Sequence, residues 1–314
     1  MCYNPNKIKA KIINPARYKQ TAFAPGREKG MSKIKIVADS TCDLSPELVK
    51  RYDVEIVPLF VALDDKIYRD GKEITPDEVY AWADEHKTVP KTSAISQEDV
   101  RAVFKKYINE GYDIFYTGIS SEMSASHNIA AMAAAEIAPE RIAVLDSRNL
   151  STGVGHSVIR ACELAQGGMG VTEIKQELEK NFVDKVRASF LVDSTTYLRR
   201  GGRCSAIAAI GAAALGIKPC IVVENGAMRP DVKFQGSIGR ALLKYAKKMT
   251  PELLKARPDR VFITHSGIDD EVLAKVREYV ESLNYFKEVL VTRAGCVISS
   301  HCGYGTLGIL YVEQ

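Results

Sequence analysis

The chain has 314 residues, 46% hydrophobic and 26% charged, with a formal net charge of +4. This length suits two domains, each large enough to bury its own core. Residues 1–30 hold seven basic side chains against Glu28 alone, so the remainder is slightly acidic and nucleic acid is a poor partner.

Residues 1–30, with Pro5, Pro15, Pro25 and Gly26-Arg27-Glu28-Lys29-Gly30, read as a disordered basic extension. The run Gly26–Gly30 can be written with purine codons alone, like a translated ribosome-binding site before Met31. A chain starting at Met31 is expected to fold and bind equally well. No apolar run reaches the ~20 residues that span a bilayer, and no secretory h-region is seen. A cytoplasmic protein without a transmembrane segment is expected. The seven cysteines are scattered without a C-x-x-C pair, which favours reduced, buried thiols over disulfides or a metal site.

From residue 31 to 167, strands and helices alternate. Strands are expected at Ile34–Ala38, Glu55–Val61, Asp113–Thr117 and Ile142–Leu145. Ser45-Pro46 and Thr75-Pro76 each place a capping hydroxyl before a first-turn proline, and Glu78 completes a capping box with Thr75. Ser96 opens a helix whose Val100, Val103, Phe104, Tyr107 and Ile108 share a face. Such alternation predicts a Rossmann-like parallel sheet covered on both sides. Gln166-Gly167-Gly168-Met169-Gly170 marks the boundary to a second α/β domain, 168–314, with a mixed sheet. There Ile174, Leu178 and Phe182 share a helix face. Strands are expected at Arg187–Val192, Ile217–Val223, Met228–Phe234, Val261–Thr264, Val289–Thr292 and Ile309–Val312. Asn225-Gly226 signals a hairpin, and Asp269-Asp270-Glu271 opens a helix.

The expected strands of the first half run out into hydroxyls: Asp39-Ser40-Thr41, then Ser120, Ser121 and Ser124, then Asp146-Ser147 and Ser151-Thr152. Ligands of open parallel sheets bind beyond such strand ends. Ser124 and Ser126 lead into Asn128–Ala135, and Thr92-Ser93 precede the Ser96 cap. Hydroxyls and unpaired N–H groups there suit an anion. With Lys91 the sole nearby cation and no P-loop pattern, a carboxylate fits better than a phosphate. The thin segments Ala130–Ala135 and Ala206–Ala214 either pack closely or leave an apolar tunnel for an acyl chain. Each buried methylene would contribute about 0.8 kcal/mol.

At these residues the sequence resembles the DegV family, from about Lys33 to Tyr311. The resemblance rests on seven blocks in order. They are Asp39-Ser40-Thr41-Cys42-Asp43-Leu44, Thr92-Ser93-Ala94-Ile95-Ser96, Ser120–Ser126, Asp146-Ser147 with Ser151, Gly153 and Gly155, Leu198–Arg203, Ile217-Lys218-Pro219, and His301–Gly305. It implies a Rossmann-like domain plus a mixed-sheet domain, and a long-chain fatty acid bound in a tunnel. It further implies a partner, the catalytic subunit of bacterial fatty acid kinase, which phosphorylates the carboxylate while the lipid stays bound. No cofactor, metal or catalytic residue of the chain's own is then expected. Carried over, the carboxylate contacts are Thr92, Ser93, Ser124 and His301. Ser126, Arg203 and His265 are secondary candidates, with Arg203 on the partner or carboxylate side. Ala94, Ile95, Ala125, Ser126 and Tyr304 depart from the family blocks. Ala125 and Tyr304 are expected to tune chain selectivity, and the run Phe234–Gly239 lacks a basic cluster for partner docking.

Two other functions compete. A small carbonyl or phosphosugar could bind, as in dihydroxyacetone kinase substrate domains. Ser124, His301 and Asp39 could form a hydrolase triad, although no G-x-S-x-G is present. His86, His127 and His156 read as helix-surface or strand-end polar residues, and Trp82 as a packing residue of its helix.

Overall fold

The computed structural model describes residues 33–204 and 216–314. The expected tail 1–30 and the alanine-rich segment 206–214 lie outside the described residues. The described residues form one compact unit.

Its first half builds a parallel sheet in the order β2-β1-β6-β7. The strands are β1 (Lys33–Asp39), β2 (Glu55–Val57), β6 (Tyr112–Gly118) and β7 (Ile142–Asp146). Helices α3 (Gln97–Asn109) and α4 (Ser126–Ile137) cover one face, and α5 (Thr152–Gln166) and α6 (Val171–Asn181) the other. The caps form as the sequence signals. Ser45 Oγ accepts from Leu48 N at 3.4 Å to start α1 (Pro46–Tyr52). At α2 (Pro76–His86), Thr75 N donates to Glu78 Oε2 at 2.8 Å, and Glu78 N donates back to Thr75 Oγ1 at 3.4 Å. Ser96 Oγ accepts from Asp99 N at 2.9 Å at the start of α3.

The expected single strand Glu55–Val61 is two strands. Pro58 has no N–H to continue a ladder, so β2 stops at Val57. The chain resumes as β3 (Phe60–Leu63) in a separate antiparallel sheet, β4-β3-β5, with β4 (Lys66–Arg69) and β5 (Lys91–Ser93). This small sheet matters, because β5 carries Thr92 and Ser93.

The second half forms a mixed six-stranded sheet, β10-β9-β8-β13-β11-β12. Its strands are β8 (Val186–Leu191), β9 (Ile217–Glu224), β10 (Ala227–Gln235), β11 (Arg260–His265), β12 (Glu288–Arg293) and β13 (Leu307–Val312). Asn225 and Gly226 take φ of 51° and 82°, the left-handed pair that a two-residue hairpin requires. Helices α8 (Ile238–Lys248) and α10 (Asp270–Ser282) pack on one face of this sheet. Short helices α7 (Thr196–Gly201), α9 (Thr250–Leu253) and α11 (Cys296–Cys302) complete the described elements.

Helix α5 lies between the two large sheets, touching β1 and β6 on one side and β8 and β13 on the other. Its apolar positions and those of both sheets share one core. The close fit requires Gly155. A Cβ there would meet the Leu44 side chain at 2.9 Å and the Cys42 carbonyl at 3.0 Å. The expected boundary at 167/168 falls in the turn between α5 and α6. Helix α6 still packs on β6 and β7, and the chain enters the second sheet at β8.

His156, expected at a helix surface, is fully buried in α5. Its Nε2 pairs with the Leu310 carbonyl at 3.1 Å, and its ring stands edge-on to Phe262. Burial pushes its pKa down to about 3, so it is a neutral core residue joining α5 to β13. The face of α5 that looks polar in sequence is covered by the second sheet, which local periodicity does not reveal. Trp82 is half-buried on α2, stacks on His86 and donates from Nε1 to Asp64 at 2.9 Å.

Candidate functional site

Three separate elements bring the expected carboxylate contacts together. Strand β5 pairs with β3, setting Thr92 opposite Val61 and Ser93 opposite Phe60. The loop after β6 delivers Ser124 and Ser126 at the start of α4. Helix α11 delivers His301 from the far end of the chain. Thr92 Oγ1 and His301 Nε2 are 2.8 Å apart, across 209 residues of sequence. Ser124 Oγ and Ser126 Oγ lie 2.9 Å apart. Buried Ser126 in turn accepts from Ile95 N at 3.3 Å, which ties α4 to the segment after β5.

Thr92, Ser93, Ser124 and His301 all line one cavity of about 300 Å³. This is the lower end of the range of small-molecule sites, about 300–1,000 Å³. Its other walls are apolar: Leu59, Ile119, Met123, Leu150, Met228 and Ile298. Ala125 also lines it, with Arg203 the single cationic side chain among the described lining residues. Arg203 is exposed, and its guanidinium donates to the Gly201 carbonyl at 2.8 Å. The lining thus combines hydroxyls and an imidazole with apolar walls and the Arg203 side chain.

Burial, followed by the positive charge of Arg203, holds the His301 pKa down at about 4. The ring is neutral near pH 7. Its Nδ1 has no hydrogen-bond partner among the described residues. The ring lies flat enough against α7 that a Cβ on Gly201 would collide with Nδ1. Glycine in Leu198–Arg203 thus leaves room for the histidine.

Helix α11 is gripped at its start by two buried aspartates. Gly295 N donates to Asp43 Oδ1 at 2.8 Å, and Cys296 N donates to Asp70 Oδ1 at 2.7 Å. Ser151 donates to Asp43 Oδ2 at 2.5 Å and Ser40 to Asp70 Oδ2 at 2.8 Å. Burial raises the Asp43 pKa to about 8 and also raises that of Asp70. The sequence reading passed over both as site residues. Asp43 stands in the first family block, but nothing local links it to a helix some 250 residues away. Burial likewise lifts Asp39 to about 6, against the bonds it accepts from Thr41 and Ile119 N.

His265, a secondary candidate, lies beside the cavity rather than in it, at the end of β11 in a small void with Thr306 and Phe190. Ile298 and Cys302 stand between the two spaces, lining both. Burial and then Arg293 lower the His265 pKa to about 4, and its Nδ1 accepts from Gly267 N at 3.3 Å. Tyr304 is 57% exposed and lines a different pocket, whereas Ala125 lines the cavity itself. The triad of a hydrolase is not assembled: His301 bonds Thr92, Ser124 bonds Ser126, and Asp39 is occupied by Thr41 and Ile119.

A larger cleft of about 530 Å³ lies between the β9–β10 hairpin and α8. Asp184, Arg187, Asp231 and Lys248 line it together with apolar residues such as Val222, Phe234 and Met249, so hydrocarbon there would lie against charged side chains. The described cysteines are buried thiols. Among the described residues no group of His, Cys, Asp and Glu could hold a metal ion, and no helix is long and apolar enough to cross a membrane.

Comparison with known proteins places this arrangement. The family profile described as "Uncharacterised protein, DegV family" matches residues 33–314. A DegV domain-containing protein of Clostridium perfringens is 30% identical over 284 residues, covering 90% of this chain and 100% of its own. The structure of a fatty-acid-binding DegV family protein from Thermus thermophilus is 32% identical with a TM-score of 0.82, covering 90% of this chain and 100% of its own. A stearic acid-binding protein from Eubacterium ventriosum is 30% identical with a TM-score of 0.77, covering 89% of this chain and 98% of its own. The chain therefore belongs to the DegV family.

Proposed function

We propose that this chain binds one long-chain fatty acid and presents its carboxylate to a partner, the catalytic subunit of a fatty acid kinase. The observation that carries the reading is the polarity of one cavity. Thr92, Ser93, Ser124 and His301 line one space whose remaining described walls are apolar apart from Arg203. Thr92 and the neutral His301 bond each other, so with Nε2 protonated the histidine donates to Thr92, and the Thr92 hydroxyl, like those of Ser93 and Ser124, donates to the carboxylate. A carboxylate accepts several such bonds, while methylenes fill the apolar part at about 0.8 kcal/mol each. The fatty-acid binding of the relatives from Thermus thermophilus and Eubacterium ventriosum supports the same ligand class. A short phosphosugar would leave the apolar walls wet.

On this reading the chain has no turnover of its own. Its site supplies donors without an activated nucleophile, a nucleotide loop or a metal. It would work in the cytoplasm, where the partner finds ATP. Organic extraction of the purified protein followed by mass spectrometry tests the ligand. One equivalent of long-chain fatty acid is expected, and a short polar ligand in its place would overturn the reading.

A further inference from the structure

A second pocket, of about 440 Å³, opens at the surface beside the C-terminal end of α11. Tyr80, Tyr197, Tyr304, Asp77 and Asp84 line it, and no basic side chain does among the described residues. Each ring is fixed. Tyr80 donates its hydroxyl to the Ser266 carbonyl at 2.5 Å. Tyr197 lies over Gly303 and Tyr304 over Gly267, where an added Cβ would come within 2.6 Å of either ring. Both rings stand nearly perpendicular to Tyr80, at 84° and 86°, with centroids 6.2 and 5.8 Å away. Asp77 binds Arg293 at 2.6 Å, leaving Asp84 without an ion-pair or hydrogen-bond partner among the described residues.

Aromatic faces are electron-rich and attract cations, and the unpaired Asp84 carboxylate at the rim adds to that field, Asp77 being offset by Arg293. We infer that this tyrosine–aspartate pocket takes an arginine side chain of a partner protein docked over the lipid-carboxylate end of the molecule. Arginine is favoured over lysine because a planar guanidinium stacks on a ring while its N–H fork engages a carboxylate. A protein is favoured as the source because of position. Gly303 and Tyr304 directly follow α11, which carries His301, and Tyr197 belongs to α7, whose Gly201 faces the same histidine. A protein reaching the carboxylate would cover this pocket. The inference rests on the proposed function for its partner, but the chemistry of the pocket can be tested separately.

The test titrates the full chain, with its tyrosines isotopically labelled, against Nα-acetyl-arginine methylamide and follows the ring resonances by NMR. Saturable shifts at Tyr197 and Tyr304 are expected in the millimolar range, as for a single surface cation–π contact. Asp84→Asn should weaken them about threefold or more, and Tyr304→Ala should abolish saturation. The neutral citrulline analogue should leave the rings unmoved. Absence of saturation, or equal shifts with citrulline, overturns the inference. Tighter binding of tetramethylammonium than of the arginine probe also overturns it, by assigning the pocket to a small quaternary cation. Fatty-acid affinity is measured on the same samples. Loss of arginine binding with fatty acid still bound sinks only this inference, whereas arginine binding without fatty-acid binding sinks only the proposed function.

Discussion

At the scale of single residues, the chemistry of the site turns on a histidine kept neutral. With its pKa held near 4 by burial and then by Arg203, His301 does not titrate between pH 6 and 8. Fatty-acid affinity should therefore be flat across that window, which equilibrium binding at several pH values checks. A steep fall between pH 6 and 7 would show a charged ring. That Thr92, Ser93, Ser124 and His301 line one cavity was anticipated for Ser124 from hydroxyls beyond a strand end, for Thr92 and Ser93 from their place before a helix cap, and for His301 from a family block alone. His156 was misread because only the second sheet buries it. The same burial makes His156→Ala a poor control, since it would open a core cavity. His86, exposed on α2, serves better.

At the scale of elements, α11 depends on Asp43 and Asp70, which hold its first N–H groups from the other half of the chain. Both carboxylates are buried, and their native pKa values lie above the ordinary 3.8. The sign of the linkage follows. Below about pH 8 the native state keeps a proton on Asp43 that the unfolded chain has lost above about pH 4. Unfolding free energy should thus fall as pH rises from about 4 to about 8, with Asp39 contributing up to about 6. Urea unfolding should show this slope, and Asp43→Asn should flatten it, since an amide mimics the protonated acid. An unchanged slope in Asp43→Asn would remove Asp43 from the account. The parallel sheet, the caps and the Asn225-Gly226 hairpin were readable from periodicity and turn chemistry. The β4-β3-β5 sheet was not. Its strands have only three or four residues, and Lys91–Ser93 gains strand form from pairing with β3 rather than from its own composition.

At the scale of the whole molecule, α5 joins the two large sheets into one core, and the site is assembled across that join. Gly155→Val would push α5 away from Leu44 and the Cys42 carbonyl. Overpacking of this kind costs about 1–3 kcal/mol, to be read from the urea midpoint. An unchanged midpoint would mean that the two halves pack less tightly than described. The architecture could be anticipated because alternation and family blocks run along nearly the whole chain. The meeting of β5, the α4 entry and α11 was anticipated only through the family resemblance, because nothing local in the sequence joins Thr92 to His301, 209 residues away. The central claim is that these three elements hold a fatty-acid carboxylate, and one measurement addresses it directly. Fatty-acid affinity is compared among the parent, Ser124→Ala, His301→Ala and the control His86→Ala. A hydrogen bond to a charged acceptor contributes about 1.5–3 kcal/mol. Each site variant should therefore bind about tenfold to a hundredfold more weakly, with His86→Ala unchanged. Parent-like affinity in both site variants would place the carboxylate elsewhere and contradict the account.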